Sequence, residues 1–181
     1  MKVIDADNEV TNVLYRDIEE RCIHCIALHQ PVACDLRFIH TAINVAAHME
    51  IIGNHARDIA GLVPGIVNES TLENEEKTLQ KMCDTSLMMI KNAMNSFVNK
   101  NKKYINKVDI GEEKVDALYD KLLGELKKKV KSNNAHASLI FNPLIAAKCL
   151  ERAGNHASKI SKKTIYAVYE MRYCNVSPQL N

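Results

Sequence analysis

Chain breakers are scarce in this sequence. Only 6 glycines and 4 prolines punctuate 181 residues, less than half of the roughly 12% that average usage supplies. An all-β sandwich or barrel needs a turn about every 8–12 residues, so it is excluded. A doubly wound α/β fold with glycine-rich loops is excluded for the same reason. Few breaks imply few, long elements, and those are helices. Long apolar runs are missing too. No stretch approaches the ~18 consecutive apolar residues of a membrane span, and no membrane insertion is expected. The start, Met1 to Asp7, turns acidic where a signal peptide carries its apolar region. A cytoplasmic protein is therefore expected, with its 6 cysteines as reduced thiols rather than a disulfide framework. No G-x-S-x-G, P-loop or dinucleotide fingerprint occurs, so no enzyme is expected.

What is present is enough for a real core. Hydrophobic residues make up 46% and charged residues 25%; a chain of this length forms one domain or two small ones and hides about 70% of its unfolded surface. The net charge of +2 conceals an asymmetry, with residues 1–70 at −5 and residues 71–181 at +7. The basic residues cluster at Lys100 to Lys103 and at Lys127 to Lys131. Neither run has an arginine-rich reading helix or interleaved aromatics, so no nucleic-acid partner is expected. The second run reads as a solvated helix C-terminus, where cations complement the dipole. An acidic protein partner is the alternative.

Apolar periodicity predicts five helices. The first spans about Val3 to Leu28, with Val10, Val13, Leu14, Ile18, Cys22, Cys25 and Ile26 as one buried face. The second has Pro31 in its first turn and runs to about Leu62, with Pro64-Gly65 stopping it. Ser70-Thr71-Leu72-Glu73 reads as a capping box for a third helix. This continues to about Val98 on a stripe of Leu79, Met82, Leu87, Ile90, Met94 and Phe97. The fourth spans about Tyr104 to Lys131; Gly111 leaves open a later start with Asp109 as its cap. The last spans about Ala135 to Tyr173, with Pro143 tolerated near its start or kinking it.

The second and fifth helices share one frame, E-x-x-G-N-H-A-x-x-I, at Glu50 to Ile59 and at Glu151 to Ile160. Upstream, Leu14-Tyr15 answers Leu118-Tyr119, and Asn12 falls opposite Asp116. The chain is a duplicated helix pair. Glu and Asn four apart lie on one helix face. A mid-helix glycine costs about 1 kcal/mol against alanine, and its presence in both copies predicts close approach of another helix.

These residues resemble the PhoU family of phosphate-uptake regulators. Gln30 to Arg37 is similar to its P-V-A-x-D-L-R segment, and Glu50 to Ala56 and Glu151 to Ala157 resemble its doubled E-R-I-G-D-H-A motif. The three together, over Val3 to about Glu170, make the resemblance specific. It implies an all-α fold of tandem three-helix bundles, six helices in all, of which this chain supplies five. The division implied is residues 1–66 for the first repeat with two helices, 67–174 for the second bundle, and 175–181 for a tail. An apolar groove on the first bundle is then expected, filled by a partner helix or a second subunit, and a homodimer is favoured.

The resemblance further implies a non-enzymatic negative regulator acting by contact with the phosphate ABC transporter ATPase subunit and a phosphate-sensing histidine kinase. Family members bind metal clusters through E-x-x-x-D pairs, which transfers a divalent or iron-type metal ion onto Glu50, Asn54, Glu151, Asn155 and Asp116. Asp35, Arg37 and Arg152 carry over as partner-binding positions. The sequence departs where the motif aspartates are Asn54 and Asn155, and where Ile51 replaces an arginine. An amide oxygen adds no charge, whereas iron and manganese favour carboxylates. A polar helix–helix contact fixing register is the competing reading of these pairs. A PhoU-like scaffold without metal or transporter role, and a ferritin-like iron protein, are the competing functions; the second needs Glu-x-x-His pairs, which the chain lacks.

Three other constellations have plainer readings. Cys22, His24, Cys25, His29 and Cys34 resemble zinc ligands, yet Cys22, Cys25 and His29 share the apolar face, which reads as core. His55 and His156, without a nucleophile or paired acid beside them, read as partly exposed histidines on the helix flanks. The methionines of the third helix read mostly as core.

Overall fold

The computed structural model describes the backbone of residues 2–67, 72–131 and 137–174, with side chains over most of those spans. Helix α1 is Lys2–His29 and α2 is Ala33–Leu62. A short α3, Pro64–Val67, follows, then α4, Glu73–Val98. A 3-10 turn at Lys102–Tyr104 leads into α5, Ile105–Lys131, and α6 is Ala137–Cys174. No strand occurs among the described residues. Helix α1 packs on α2, α4–α6 pack on one another as a three-helix bundle, and α2 lies along α6 to join the pairs. The chain is all-α, as its shortage of breakers predicts.

Several starts and stops differ from the sequence reading. Pro31 lies before α2 rather than in its first turn, because Val32 is the N-cap and Gln30 and Ala33 take positive φ. Pro64 opens α3, as a residue with no N–H to lose can do at a first turn. Helix α4 begins at Glu73 with Leu72 at its cap; Ser70 and Thr71 lie outside the described residues, as do residues 132–136 and the expected tail at 175–181. Helix α5 runs unbroken from Ile105 through Gly111, so no later start occurs at Asp109. Gly111 is buried against Met89, whose side chain would collide with a Cβ there. Pro143 lies buried inside α6.

The core lies almost wholly in α4–α6. Met82, Met89, Val108, Leu122, Ala157 and Ile160 are fully buried, whereas the described buried hydrophobics from the first 66 residues are Val45, Ala46 and Ile66. Two expectations fail here. Leu87 is 59% exposed, and Met89 takes the core place instead. The α1 stripe is also open: Val10, Val13, Leu14 and Ile18 are exposed, because no described element covers the face that α4 covers on α5. Equivalent positions of the two repeats differ accordingly. Ile18 and Leu122 each fall four residues after the Leu of the Leu-Tyr pair, yet Ile18 is 37% exposed and Leu122 is 0% exposed. The basic end of α5 is more than a solvated face. Lys129 Nζ reaches across to the buried Glu75 Oε1 at 2.8 Å.

The thiols also depart from expectation in one place. Cys22, Cys25, Cys83 and Cys149 are free, whereas Cys34 is disulfide-bonded. Linear spacing does not reveal which thiols a fold brings together. Cys22 and Cys25 are half-buried, and His24 and His29 are exposed, so the α1 cluster is not gathered around one centre.

Candidate functional site

The repeated frame builds two similar polar pairs. Asn54 Nδ2 donates to Glu50 Oε1 at 2.8 Å, and Asn155 Nδ2 donates to Glu151 Oε1 at 2.8 Å. Residues four apart on a helix face each other, and the amide completes the contact. Each pair is half-buried.

The surroundings of the two pairs differ. On the second, Lys148 Nζ sits 2.7 Å from Glu151 Oε2 and 5.3 Å from the Tyr119 ring centroid. Asp116 lies within electrostatic reach; burial, then Glu151, Glu112 and Asp120, push its carboxyl up, with Lys148 opposing. Glu112 accepts a hydrogen bond from Ser158 Oγ at 2.9 Å. On the first, Ala47 stands where the second has Lys148. Asn8 and Asn12 of α1 carry buried Oδ1 atoms without a hydrogen-bond donor among the described residues. The second pair therefore has the more acidic surroundings, with Asp116 and Glu112 near Glu151, and hard cations take carboxylates; among the described residues these three acids are not drawn into one tight ligand group. The first does not fit a multinuclear metal group. Its acids are Glu50 and, by way of Tyr15, Glu19: the Tyr15 hydroxyl donates to Glu19 Oε1 at 3.0 Å and feels both charges, while the amide partner of Glu50 presents a donor to it.

The two motif glycines do allow close approach, but to different helices. A Cβ at Gly53 would meet Thr11 Cγ2 of α1 at 3.3 Å. At Gly154 it would meet Met89 of α4 at 3.4 Å. Met89 thus fills the wedge between Gly111 and Gly154, and Ser86 of the same helix donates to the Leu150 carbonyl at 3.1 Å.

The expected partner positions do not form one patch. Asp35 is exposed in the first turn of α2, and Arg37 Nη2 is 3.8 Å from Cys34 Sγ. Arg152 is exposed on α6, beside the His55 end of α2. Along α2, the stretch from Asp35 to His55 amounts to about 30 Å of helix at ~1.5 Å per residue.

The histidines hold the largest surprise. His55 and His156 are half-buried and face each other across the α2–α6 crossing, with ring centroids 6.0 Å apart. His156 Nδ1 lies 3.0 Å from His48 Nδ1. Burial, then Lys159, His48, His55 and Arg152, lower His156 from 6.5 to about 4. His48 is lowered by burial and by Lys159 and Lys163. An open basic cleft of about 700 Å³ continues from this point, lined by His40, Asn44, His48, Lys159, Lys162 and Lys163. At the other end of the crossing, His55, Asp58 and Cys149 gather, beside an apolar cavity of about 390 Å³ that His55 helps to line. Sequence reasoning treated each histidine alone. The i, i+4 ladder of His40, Asn44 and His48 was the signal available, and its partner helix was not.

The PhoU domain profile matches residues 1–63 and 79–164. The chain is 30% identical over 167 residues to the phosphate-specific transport system accessory protein PhoU homolog 1 of Methanothermobacter thermautotrophicus, covering 92% of this chain and 76% of that one. It is 28% identical to the corresponding PhoU homolog of Clostridium acetobutylicum, again over 92% and 76%. The crystal structure of PhoU from Pseudomonas aeruginosa superposes with a TM-score of 0.86 at 25% identity, over 93% of this chain and 80% of that one. That of the phosphate transport system regulatory protein PhoU from Streptococcus pneumoniae gives 0.80 at 23% identity, over 92% and 77%, a likeness of fold. Duplicated frame, helical architecture and profile agree, and this chain belongs to the PhoU family.

Proposed function

We propose that this chain is a cytoplasmic, non-enzymatic negative regulator of phosphate uptake and phosphate-starvation signalling. It works by contact with the phosphate ABC transporter ATPase subunit and a phosphate-sensing histidine kinase. The observation that carries this is the PhoU profile over both repeats, with relatives named as accessory proteins of phosphate-specific transport. The division into residues 1–66, 67–174 and 175–181 belongs to the same reading. Asp35 with Arg37, and Arg152 some distance away, are its proposed contact points. The exposed apolar face of α1 supports self-association into a dimer, since such surface is covered in stable assemblies. No helix among the described residues is long and apolar enough to cross a membrane.

Within this reading, a hard divalent cation belongs to the second repeat, where Asp116 and Glu151 would hold it and it would neutralise the acid group. Glu50, Asn54 and Asn155 would act as helix-register contacts. Deleting the gene should raise phosphate uptake and phosphate-regulon transcription when phosphate is plentiful; unchanged levels of both would refute the regulatory role. The amide-for-carboxylate changes at Asn54 and Asn155 favour one rival, a PhoU-like scaffold without transporter contact. In a pull-down with the transporter ATPase subunit, a scaffold of that kind would not be retained.

A further inference from the structure

Independently of that regulatory role, we propose that His55, Asp58 and Cys149 form a binding site for one zinc-type transition-metal ion at the α2–α6 crossing. The ligand atoms of these three residues lie within 4.8 Å of one another. His55 and Asp58 stand one turn apart on α2, and Cys149 comes from α6. Zinc bonds of ~2.0–2.3 Å in a tetrahedron place ligand atoms roughly 3.5 Å apart, so rotamer adjustment closes the group. Imidazole, thiolate and carboxylate together suit a borderline ion, not the oxygen-only preference of calcium or magnesium.

Three further observations support the site. His55 Nδ1 is buried and has no hydrogen-bond partner among the described residues; such an atom calls for a partner. Cys149 is buried, and burial followed by the Asp58 charge pushes its thiol up. A cation between the two reverses that repulsion, and coordination releases the Sγ proton to solvent. Asp58 is half exposed and 3.6 Å from Arg57 Nη2; an ion pair so exposed to solvent is weak, so a metal ion competes for the carboxylate and water can take the fourth position.

The duplication supplies an internal control. Cys149 and His48 each stand two residues before the frame glutamate, and Asp58 and Lys159 are equivalent within the frame. The His55–Cys149–Asp58 group and the His156–His48–Lys159 group are thus two versions of one arrangement. The second has an ammonium where the first has a carboxylate, so only the first attracts a cation. Arg152 faces His55 and Cys149 and opposes the charge of the ion; it is exposed on α6 and moderates the affinity.

Cobalt(II) added to the tag-free, reduced full chain provides the test. A single equivalent should give a thiolate-to-cobalt charge-transfer band with intense tetrahedral d–d bands, displaced by zinc. Cys149→Ser should remove the charge-transfer band. Asp58→Asn, at an exposed position that leaves the fold intact, should weaken binding roughly tenfold or more. Cys22→Ser/Cys25→Ser should leave the band and the binding unchanged. The proposal is overturned by the absence of a thiolate band in the wild type. It is also overturned if the band survives Cys149→Ser, or if Cys22→Ser/Cys25→Ser abolishes it.

Discussion

In the first repeat Glu50 accepts from Asn54 across a helix turn and lies within electrostatic reach of Tyr15 of α1, whose hydroxyl donates to Glu19. In the second, Glu151 accepts from Asn155 in the same geometry, pairs with Lys148, and shares its surroundings with Asp116 and Glu112. The α5 face is sealed by α4, while the α1 face is open. The frame sets hydrogen bonds within a helix, because those depend only on spacing. Charge balance, burial and metal fit come from the neighbouring helices, and these have diverged.

That contrast can be broken most forcefully at Lys129. Lys129 and Cys25 occupy equivalent places, each eleven residues after the Leu of the Leu-Tyr pair. Only Lys129 meets a buried acid, Glu75, which is 2% exposed. Lys129→Met should cost about 3–5 kcal/mol by stranding that carboxylate, and Cys25→Met almost nothing. Urea unfolding of both variants checks it; similar losses would mean the two faces are equally sealed.

Next comes the sealed face itself. Leu122→Ala should lose about 2–5 kcal/mol, as a fully buried leucine does. Ile18→Ala, at the matching open position, should lose under about 1 kcal/mol. Equal losses would show that α1 is covered in solution, for which sedimentation would then identify a second copy.

The histidine end of the crossing should respond to acid. His156 is held at about 4 against 6.5 by burial, by Lys159 and Arg152 on its own helix, and by His48 and His55 on α2. His48 and His55 are lowered as well, with Asp58 opposing the shift at His55. Above 6.5 both folded and unfolded chains are neutral at this ring, and nothing is gained or lost. Below it the unfolded chain takes up a proton that the folded chain refuses, so stability falls as pH drops from 6.5 towards 4. Melting temperatures across that window should decline, and His156→Asn should flatten the decline; an identical acid limb in the variant would refute the assignment.

The smallest effect separates the two motif glycines. Gly154→Ala meets the flexible end of Met89 and, at 3.9 Å, Ser86 Oγ, both at ordinary contact distance, so alanine's helix preference should stabilise by up to about 1 kcal/mol. Gly53→Ala presses on the branched Thr11 and should gain nothing or lose slightly. Thermal melts of the pair would resolve the sign.

How much of this was legible follows from the range of each interaction. The Glu–Asn pairs and helix spans are local, so periodicity exposes them. The glycine frame announces close packing, but cannot say that Gly53 backs onto α1 and Gly154 onto α4. Leu87 and Met89 are both apolar and two residues apart; which one enters the core depends on where α5 and α6 lie. Lys129 reads as a helix-end cation until Glu75 is brought beneath it. The His55–Asp58–Cys149 group joins residues far apart in sequence, and nothing in linear spacing pairs them.

The sequence alone determined the all-helical class, the duplication and the family, because turn scarcity, 3.6-residue periodicity and a repeated frame are properties of local chain order. Only the tertiary structure decided which face is buried, which acid has a counter-cation, and that the motif histidines meet at the α2–α6 crossing. Those outcomes depend on electrostatics and packing between helices, which act through space and not along the chain.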